Sequence, residues 1–372
     1  MSARSIRVGF HSPLPPARSG VADYSAALLD ALRRFGDVVT GADSAAGVHL
    51  YHLGNNPLHL DIYRQAIRKP GVVVLHDAVL HHFFLGTLRE EEYLEEFVYN
   101  YGEWSRGLAA QYWKGRARSG ASRGYFERPM LRRVAESARA VIVHNAAAAE
   151  MVRAHAPRAR IVEIPHLFAP PPISAVEVLR IRANLGLSPR TFLFGVFGFL
   201  REPKRMAAVL RVFAKVHSQM PGTCLLIEGE CVSASLARLL DSIPVGSGVI
   251  RAGYCPERRF WQLASATSAC INLRYPAAGE TSGIAIRMMG IGKLVLLHEG
   301  KETASFPETA CLRIAPGLEE EAMLAESMVW AAASPRLADE IGERAKAYIR
   351  AEHAVERAAG MYWKVLCDCA DR

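Results

Sequence analysis

The segment Asn272-Leu273-Arg274-Tyr275-Pro276-Ala277-Ala278-Gly279-Glu280-Thr281-Ser282-Gly283 sets an acid and two hydroxyls between a short apolar run and a helical pattern starting Ile284-Ala285-Ile286-Arg287. Backbone N–H groups around Thr281, Ser282 and Gly283 suit a diphosphate, because a helix N-terminus presents unsatisfied donors at the positive end of its dipole. Glu280 suits sugar hydroxyls, which donate to a carboxylate. An ordinary Ser/Thr helix cap also accounts for Thr281 and Ser282, but leaves Glu280 unexplained.

Three other places carry chemistry. In Phe197-Gly198-Phe199-Leu200-Arg201-Glu202-Pro203-Lys204-Arg205, Pro203 suits the first turn of a helix and sets Arg201 and Lys204 at its N-terminal mouth. Cations are unfavourable there for the helix itself, so an anionic ligand explains them, as does a solvated surface. The run Val72-Val73-Val74-Leu75 ends in His76-Asp77, where a histidine at a buried strand's tip suits a reacting hydroxyl or a sugar, and Asp77 suits a cap for the next helix. His81 and His82 follow on that helix. The spacing of His76, Asp77, His81 and His82 does not match a metal site, and no metal is expected. Finally, the loop from His11 to Gly20 joins a strand to a helix, and Gly20 lets a phosphate approach the backbone, or is simply the glycine of a turn. The loop is not Gly-x-Gly-x-x-Gly, which weakens a dinucleotide reading.

The elements that must position these residues fall into two βα series. Apolar β-type runs at 6–10, 48–53, 71–75, 140–144 and 161–164 alternate with helical patterns, the first built on Val21, Tyr24, Leu28, Leu32 and Phe35. The prolines of Ala169-Pro170-Pro171-Pro172 break the pattern. A second series runs through 192–197, 223–227, 249–251, 269–273 and 293–297, and the chain reads as helical after Leu318. Continuous apolar strands are buried on both faces, which predicts parallel sheets covered by helices. The expected division is a first domain at 1–168, a linker at 169–190, a second domain at 191–350 and a terminal helix at 351–372.

The 372 residues exceed one ordinary core, and 50% apolar with 22% charged residues is a globular composition. Seven cysteines lie scattered without Cys-x-x-Cys spacing, which predicts reduced thiols and, with no leader expected at the N-terminus, a cytoplasmic protein. The formal charge of +8 concentrates between Tyr99 and Arg139, among Tyr101, Trp104, Tyr112, Trp113, Tyr125 and Phe126. Two readings fit that segment. It meets an anionic membrane surface peripherally, at the inner face, or its aromatics pack inward beneath a solvated basic face. No nucleic-acid motif accompanies it, and no nucleic-acid partner is expected.

Taken together, Pro13-Leu14-Pro15-Pro16 with Ser19-Gly20-Val21-Ala22-Asp23-Tyr24-Ser25, His76-Asp77, Val141-Ile142-Val143-His144-Asn145, Lys204 and the Gly279 to Gly283 loop resemble the retaining GT-B glycosyltransferases of family 4, over nearly the whole chain. The resemblance implies an α/β GT-B fold, with two Rossmann-like, doubly wound parallel-sheet domains facing a cleft. It implies transfer of a sugar from a nucleoside diphosphate sugar to a glycan, lipid-linked or small-molecule acceptor, with retention and without a metal or other cofactor. His76, Arg201, Lys204 and Glu280 would carry catalysis, while Gly20, Tyr254, Thr281, Ser282, Gly283 and Arg287 would bind the donor. Two positions depart from the family: Phe199 stands where an Arg follows the glycine, and Arg287 stands one residue short of a second glutamate. A GT-B epimerase or phosphorylase, or an inactive sugar-nucleotide-binding scaffold, is the alternative.

Overall fold

The computed structural model describes residues 6–41, 45–169, 171 and 173–370. The start of the chain at residues 1–5, and Pro170 and Pro172 of the proline run, lie outside the described residues. By its contacts the chain forms two units: Met1–Ala169 with Pro276–Thr281 and Glu352–Arg372, and Pro170–Tyr275 with Ser282–Ala351.

The first unit holds a six-stranded parallel sheet of β1 (Arg7–His11), β2 (Asp37–Thr40), β3 (Val48–Leu53), β4 (Val72–Leu75), β5 (Ala140–Val143) and β6 (Ile161–Glu163), in the order β2-β1-β3-β4-β5-β6. Every residue of β3, β4 and β5 is buried, as continuous apolar runs require when helices cover both faces. One face packs Tyr51, Val73, Val141 and Phe97 into a core; the other packs Phe10, Leu50, Val74 and Ile142 against the helix Gly20–Leu32 and the terminal helix Val355–Ala370. The sheet's switch point, where strand order reverses, lies between β1 and β3. Edge strand β2 has no counterpart in the apolar pattern, because four residues with exposed ends carry little of it.

The second unit repeats the plan with β7 (Phe192–Val196), β8 (Thr223–Glu228), β9 (Val249–Gly253), β10 (Ala269–Asn272), β11 (Leu294–His298) and β12 (Leu312–Ile314), ordered β12-β11-β10-β7-β8-β9. This is the dinucleotide-fold order, with its switch point between β7 and β10. Its core gathers Phe194, Val196, Phe213, Leu225, Ile227, Ile271 and Leu296. Residues expected as linker include a helix, Ala175–Asn184, capped by the Ser174 hydroxyl on Glu177 N. Its Arg182 reaches the carbonyl of Ala266, tying it to this unit. Among the described residues no helix is long and apolar enough to cross a membrane.

Candidate active site

In the second unit the polar side chains gather at the carboxyl ends of β7, β8 and β10, around the switch point. Lys204 lies in a single 3₁₀ turn, Glu202–Lys204, ahead of the helix Met206–Gln219 rather than at that helix's mouth. The turn ends at Arg205, held at φ 57°, so the chain folds back on the β7 loop. The Lys204 amine consequently points inward and donates to the carbonyl of Phe197. Burial first, and Arg274 next, pull its pKa down to about 7. Gly198, at φ 79°, passes within the reach of that amine; a Cβ there would meet Lys204 Nζ at 3.4 Å. Arg201 is exposed, and its guanidinium lies 5.6 Å from the ring centre of Phe199.

Glu228 ends β8 and is buried. One carboxylate oxygen accepts from Gly198 N at 3.3 Å and the other from Cys255 N at 3.2 Å, so a single acid pins the loops after β7 and β9. Burial raises its pKa, opposed by those two N–H groups, Lys204 and Arg287. Arg287, on the helix Gly283–Gly290, spreads over Phe260 at 5.4 Å and Trp261 at 5.3 Å. Tyr254 follows β9 and is 46% exposed. Ser282 is a helix cap: its buried hydroxyl accepts from Ala285 N and from Asn272 Nδ2 at 2.7 Å. Behind Arg274, whose N–H donates to His298 Nδ1 at 3.2 Å, stands the pair Arg205–Glu320, with Nε 2.9 Å from the carboxylate. Because His298 Nδ1 accepts, its proton sits on Nε2, 3.1 Å from Glu320.

In the first unit the ends of β3, β4 and β5 bring histidines together. His76 N donates to Leu53 O at 2.8 Å, and its Nε2 lies 2.9 Å from His52 Nδ1. Tyr24 stands edge-on to His76 at 4.8 Å, and His144 lies 5.2 Å from it. Burial, then neighbouring histidines, hold His76 and His52 well below the ordinary imidazole range, so both are neutral. Asp77 does not cap the next helix, whose cap is Leu80; its carboxylate accepts from Asn55 N at 2.8 Å. His81 turns to the Tyr93 hydroxyl and the Tyr125 carbonyl, away from that aspartate. Among the described residues no three His, Cys, Asp or Glu side chains meet as a metal ion requires. Gly20 begins its helix with open space where a Cβ would stand, and Ser19 caps Ala22 N. The Pro276–Thr281 loop belongs to this unit: Asn145 Nδ2 donates to Gly279 O at 3.1 Å and to Thr281 Oγ1 at 2.9 Å. Gly279, at φ 68°, packs where a Cβ would stand 2.7 Å from Ala78. The Glu280 carboxylate accepts from Ala278 N at 2.7 Å.

Both sheets have counterparts among solved structures. Anabaena HepE, in a crystal structure with UDP and glucose, matches at a TM-score of 0.68 and 13% identity, over 98% of this chain and 100% of that one. The fold is GT-B. Sucrose-phosphate synthase from Thermosynechococcus elongatus shares the GT-B plan at a TM-score of 0.63 and 15% identity, over 97% of this chain and 98% of its own. WaaG, a glycosyltransferase involved in lipopolysaccharide biosynthesis, matches at 0.61 and 15%, over 95% and 99%. No family model and no curated protein matches this sequence.

Within the GT-B fold the sequence-expected residues divide between the units. Gly20, His76, Glu280 and Thr281 belong to the first; Arg201, Lys204, Tyr254, Ser282, Gly283 and Arg287 belong to the second. The sequence reading missed Glu228, Arg274 as a site residue, His52 and Asn145. Glu228 carried a signal, since an acid ending an otherwise apolar strand, Thr-Cys-Leu-Leu-Ile-Glu, needs a reason to be buried.

Proposed function

We propose that this protein is a sugar-nucleotide-dependent glycosyltransferase that moves a sugar from a nucleoside diphosphate sugar to an acceptor with retention of configuration. The observation that carries the reading is buried Lys204 with Arg201, Arg274 and Glu228 as its charged neighbours, and Arg287 beside the same Glu228, at the switch point of the second GT-B unit. A ligand there meets cations in a partly desolvated setting, where each stabilises a phosphate more strongly than in water. Departure of the nucleoside diphosphate builds negative charge on its phosphates. Lys204, already stripped of solvent, and Arg201 beside it answer that charge without reorganising. Arg287, flattened on two aromatic rings, and exposed Tyr254 line the nucleoside end of the donor. Ser282 serves as the cap that aims the N–H groups of the Gly283–Gly290 helix at the diphosphate. Of the first unit's residues, Glu280 and His76 are proposed to meet sugar hydroxyls and Gly20 to admit a phosphate.

HepE's crystal structures with UDP-glucose and with UDP support a uridine donor as the first to try. The acceptor is a glycan, a lipid-linked intermediate or a small molecule, met in the cytoplasm. The reaction needs no metal or other cofactor, because cationic side chains take the part a divalent ion plays elsewhere.

A thermal-shift screen against UDP-, GDP-, ADP- and dTDP-sugars identifies the donor, since specific binding raises the melting temperature by mass action. Donor turnover with and without acceptor then separates transfer from epimerisation or phosphorolysis, and the anomeric configuration of the product tests retention. Activity is expected to persist in excess EDTA. Loss on chelation, restored by Mg²⁺ or Mn²⁺, would overturn the metal-free mechanism.

A further inference from the structure

We propose that His52 fixes the tautomer of His76, so that His76 meets its ligand as a hydrogen-bond donor through Nδ1–H rather than as a base. His52 lies in β3, paired to Val74 of β4, and His76 directly follows β4, its N–H donating to Leu53 O. Their ring planes are 23° from parallel, with Nδ1 of His52 2.9 Å from Nε2 of His76. One proton lies between these nitrogens, and either ring could own it.

The far side of His52 decides ownership. His52 Nε2 is buried and has no hydrogen-bond partner. If His76 Nε2–H donated, the proton of neutral His52 would have to sit on that sealed Nε2, as a buried N–H with no acceptor. If His52 Nδ1–H donates, the sealed atom is only a lone pair. Orphaned buried N–H groups are the rarer and costlier of the two.

The surroundings agree. His59 Nδ1 donates to His52 O at 2.9 Å and His144 Nδ1 donates to Ile164 O at 2.9 Å. A carbonyl only accepts, so both of these neutral rings also carry the proton on Nδ1 and seal a bare Nε2 lone pair. Beside them Tyr24 and Tyr362 share one 2.9 Å hydrogen bond, and burial keeps both phenols protonated. His76 therefore spends its Nε2 lone pair on His52 and holds its proton on Nδ1. Such a ring offers N–H to an oxygen acceptor, such as a sugar hydroxyl or a phosphate oxygen, and cannot take a proton from an attacking hydroxyl. That His76 touches substrate rests on the proposed function; its tautomer does not.

The test reads the tautomer directly. In the full-length protein labelled with ¹⁵N-histidine, the His76 resonance is assigned by its loss in His76→Gln. Long-range ¹H–¹⁵N correlation is expected to show a protonated Nδ1 and a lone-pair Nε2. A protonated Nε2 with a lone-pair Nδ1 would overturn the proposal, whether or not the protein transfers sugar. His52→Asn and His52→Asp form an isosteric pair for the consequence. Asn still donates and keeps the Nδ1–H form, whereas Asp only accepts and draws the proton to Nε2. H52N should therefore exceed H52D in turnover by on the order of 10²-fold, the scale of losing one preorganised donor. Equal turnover of the two folded variants would remove His52's positioning role. If H52D fails to fold, the wild-type and H52N spectra still decide.

Discussion

Lys204 shows how its surroundings shift the protonation of a single side chain. A lysine on a surface turn is fully charged at neutral pH; here the Arg205 backbone at φ 57° turns it inward, and burial brings its pKa to about 7. Replacing it with alanine is expected to lower turnover about 10²–10³-fold, with a smaller loss of donor affinity, because phosphate charge peaks in the transition state. Near-normal turnover at saturating donor would end the leaving-group role. The pKa also sets a pH dependence. Below about 7 the free protein already carries the charged amine that a diphosphate needs; above it, binding must first take up a proton. Affinity for the nucleotide sugar should thus weaken above pH 7, by at most ~10-fold per pH unit. Calorimetry in buffers of different ionisation enthalpy should show proton uptake on binding at pH 8 and little at pH 6. Equal uptake at both values would remove Lys204 as its source.

At the scale of elements, the basic stretch between Tyr99 and Arg139 resolves into helices that pair Arg106, Arg123, Arg132 and Arg133 with glutamates and turn several of its rings inward. Arg106 binds Glu95 and Glu103, Arg123 lies 2.8 Å from Glu127, Arg132 meets Glu136 and Arg133 meets buried Glu96. Tyr101, Tyr112 and Trp113 pack against the core, while Trp104 stands 76% exposed. Lys114 and Arg116 line a surface hollow with His82, Leu85 and Ser119, and Arg116 stacks on Trp113 at 4.4 Å. A peripheral role at an anionic membrane predicts co-sedimentation with anionic but not neutral liposomes, fading as salt shortens the screening length to about 3 Å near 1 M. Arg116→Ser, Arg118→Ser and Arg123→Ser together should abolish it without touching donor binding. Indifference to anionic vesicles at low salt would leave a soluble acceptor.

Across the molecule, titration is unevenly shared. Only His217 and His298 of the 13 histidines belong to the second unit. In the first, burial depresses His11, His59 and His144 to about 4 and His81 to about 3, with His52 and His76 well below the ordinary value. The unfolded chain takes up protons near pH 6.5 while the folded unit refuses them, so stability is intact above that pH and drains away as pH falls toward 4. For buried His59 and His144, held at about 4, the loss reaches about 3 kcal/mol each, and a domain has only about 5–15 kcal/mol in total. The first unit should therefore unfold before the second in mild acid. Limited proteolysis at pH 5 is expected to cut within residues 6–169 first, and His144→Gln should move the urea midpoint less between pH 7 and pH 5 than wild type. Simultaneous loss of both units, or an unchanged dependence in the variant, would count against it.

Local pattern determined a good part of this protein. Runs such as Val72-Val73-Val74-Leu75 had to be strands covered on both faces, and Ser282 before Gly283 had to start a helix, because burial period and capping are properties of neighbouring residues. Their alternation with helical patterns predicted two covered parallel sheets, and the GT-B plan came from the resemblance that the motifs carry. Edge strands β2 and β12 escaped, being three or four residues long with little apolar signal. What tertiary structure alone decided is where polar side chains meet. Strand order sets His52 beside His76, the packing of the Pro276–Thr281 loop binds Asn145 to Thr281, 136 positions apart, and burial lowers the Lys204 pKa to about 7. Hydrogen bonding and desolvation depend on neighbours in space, and spacing along the chain does not carry them.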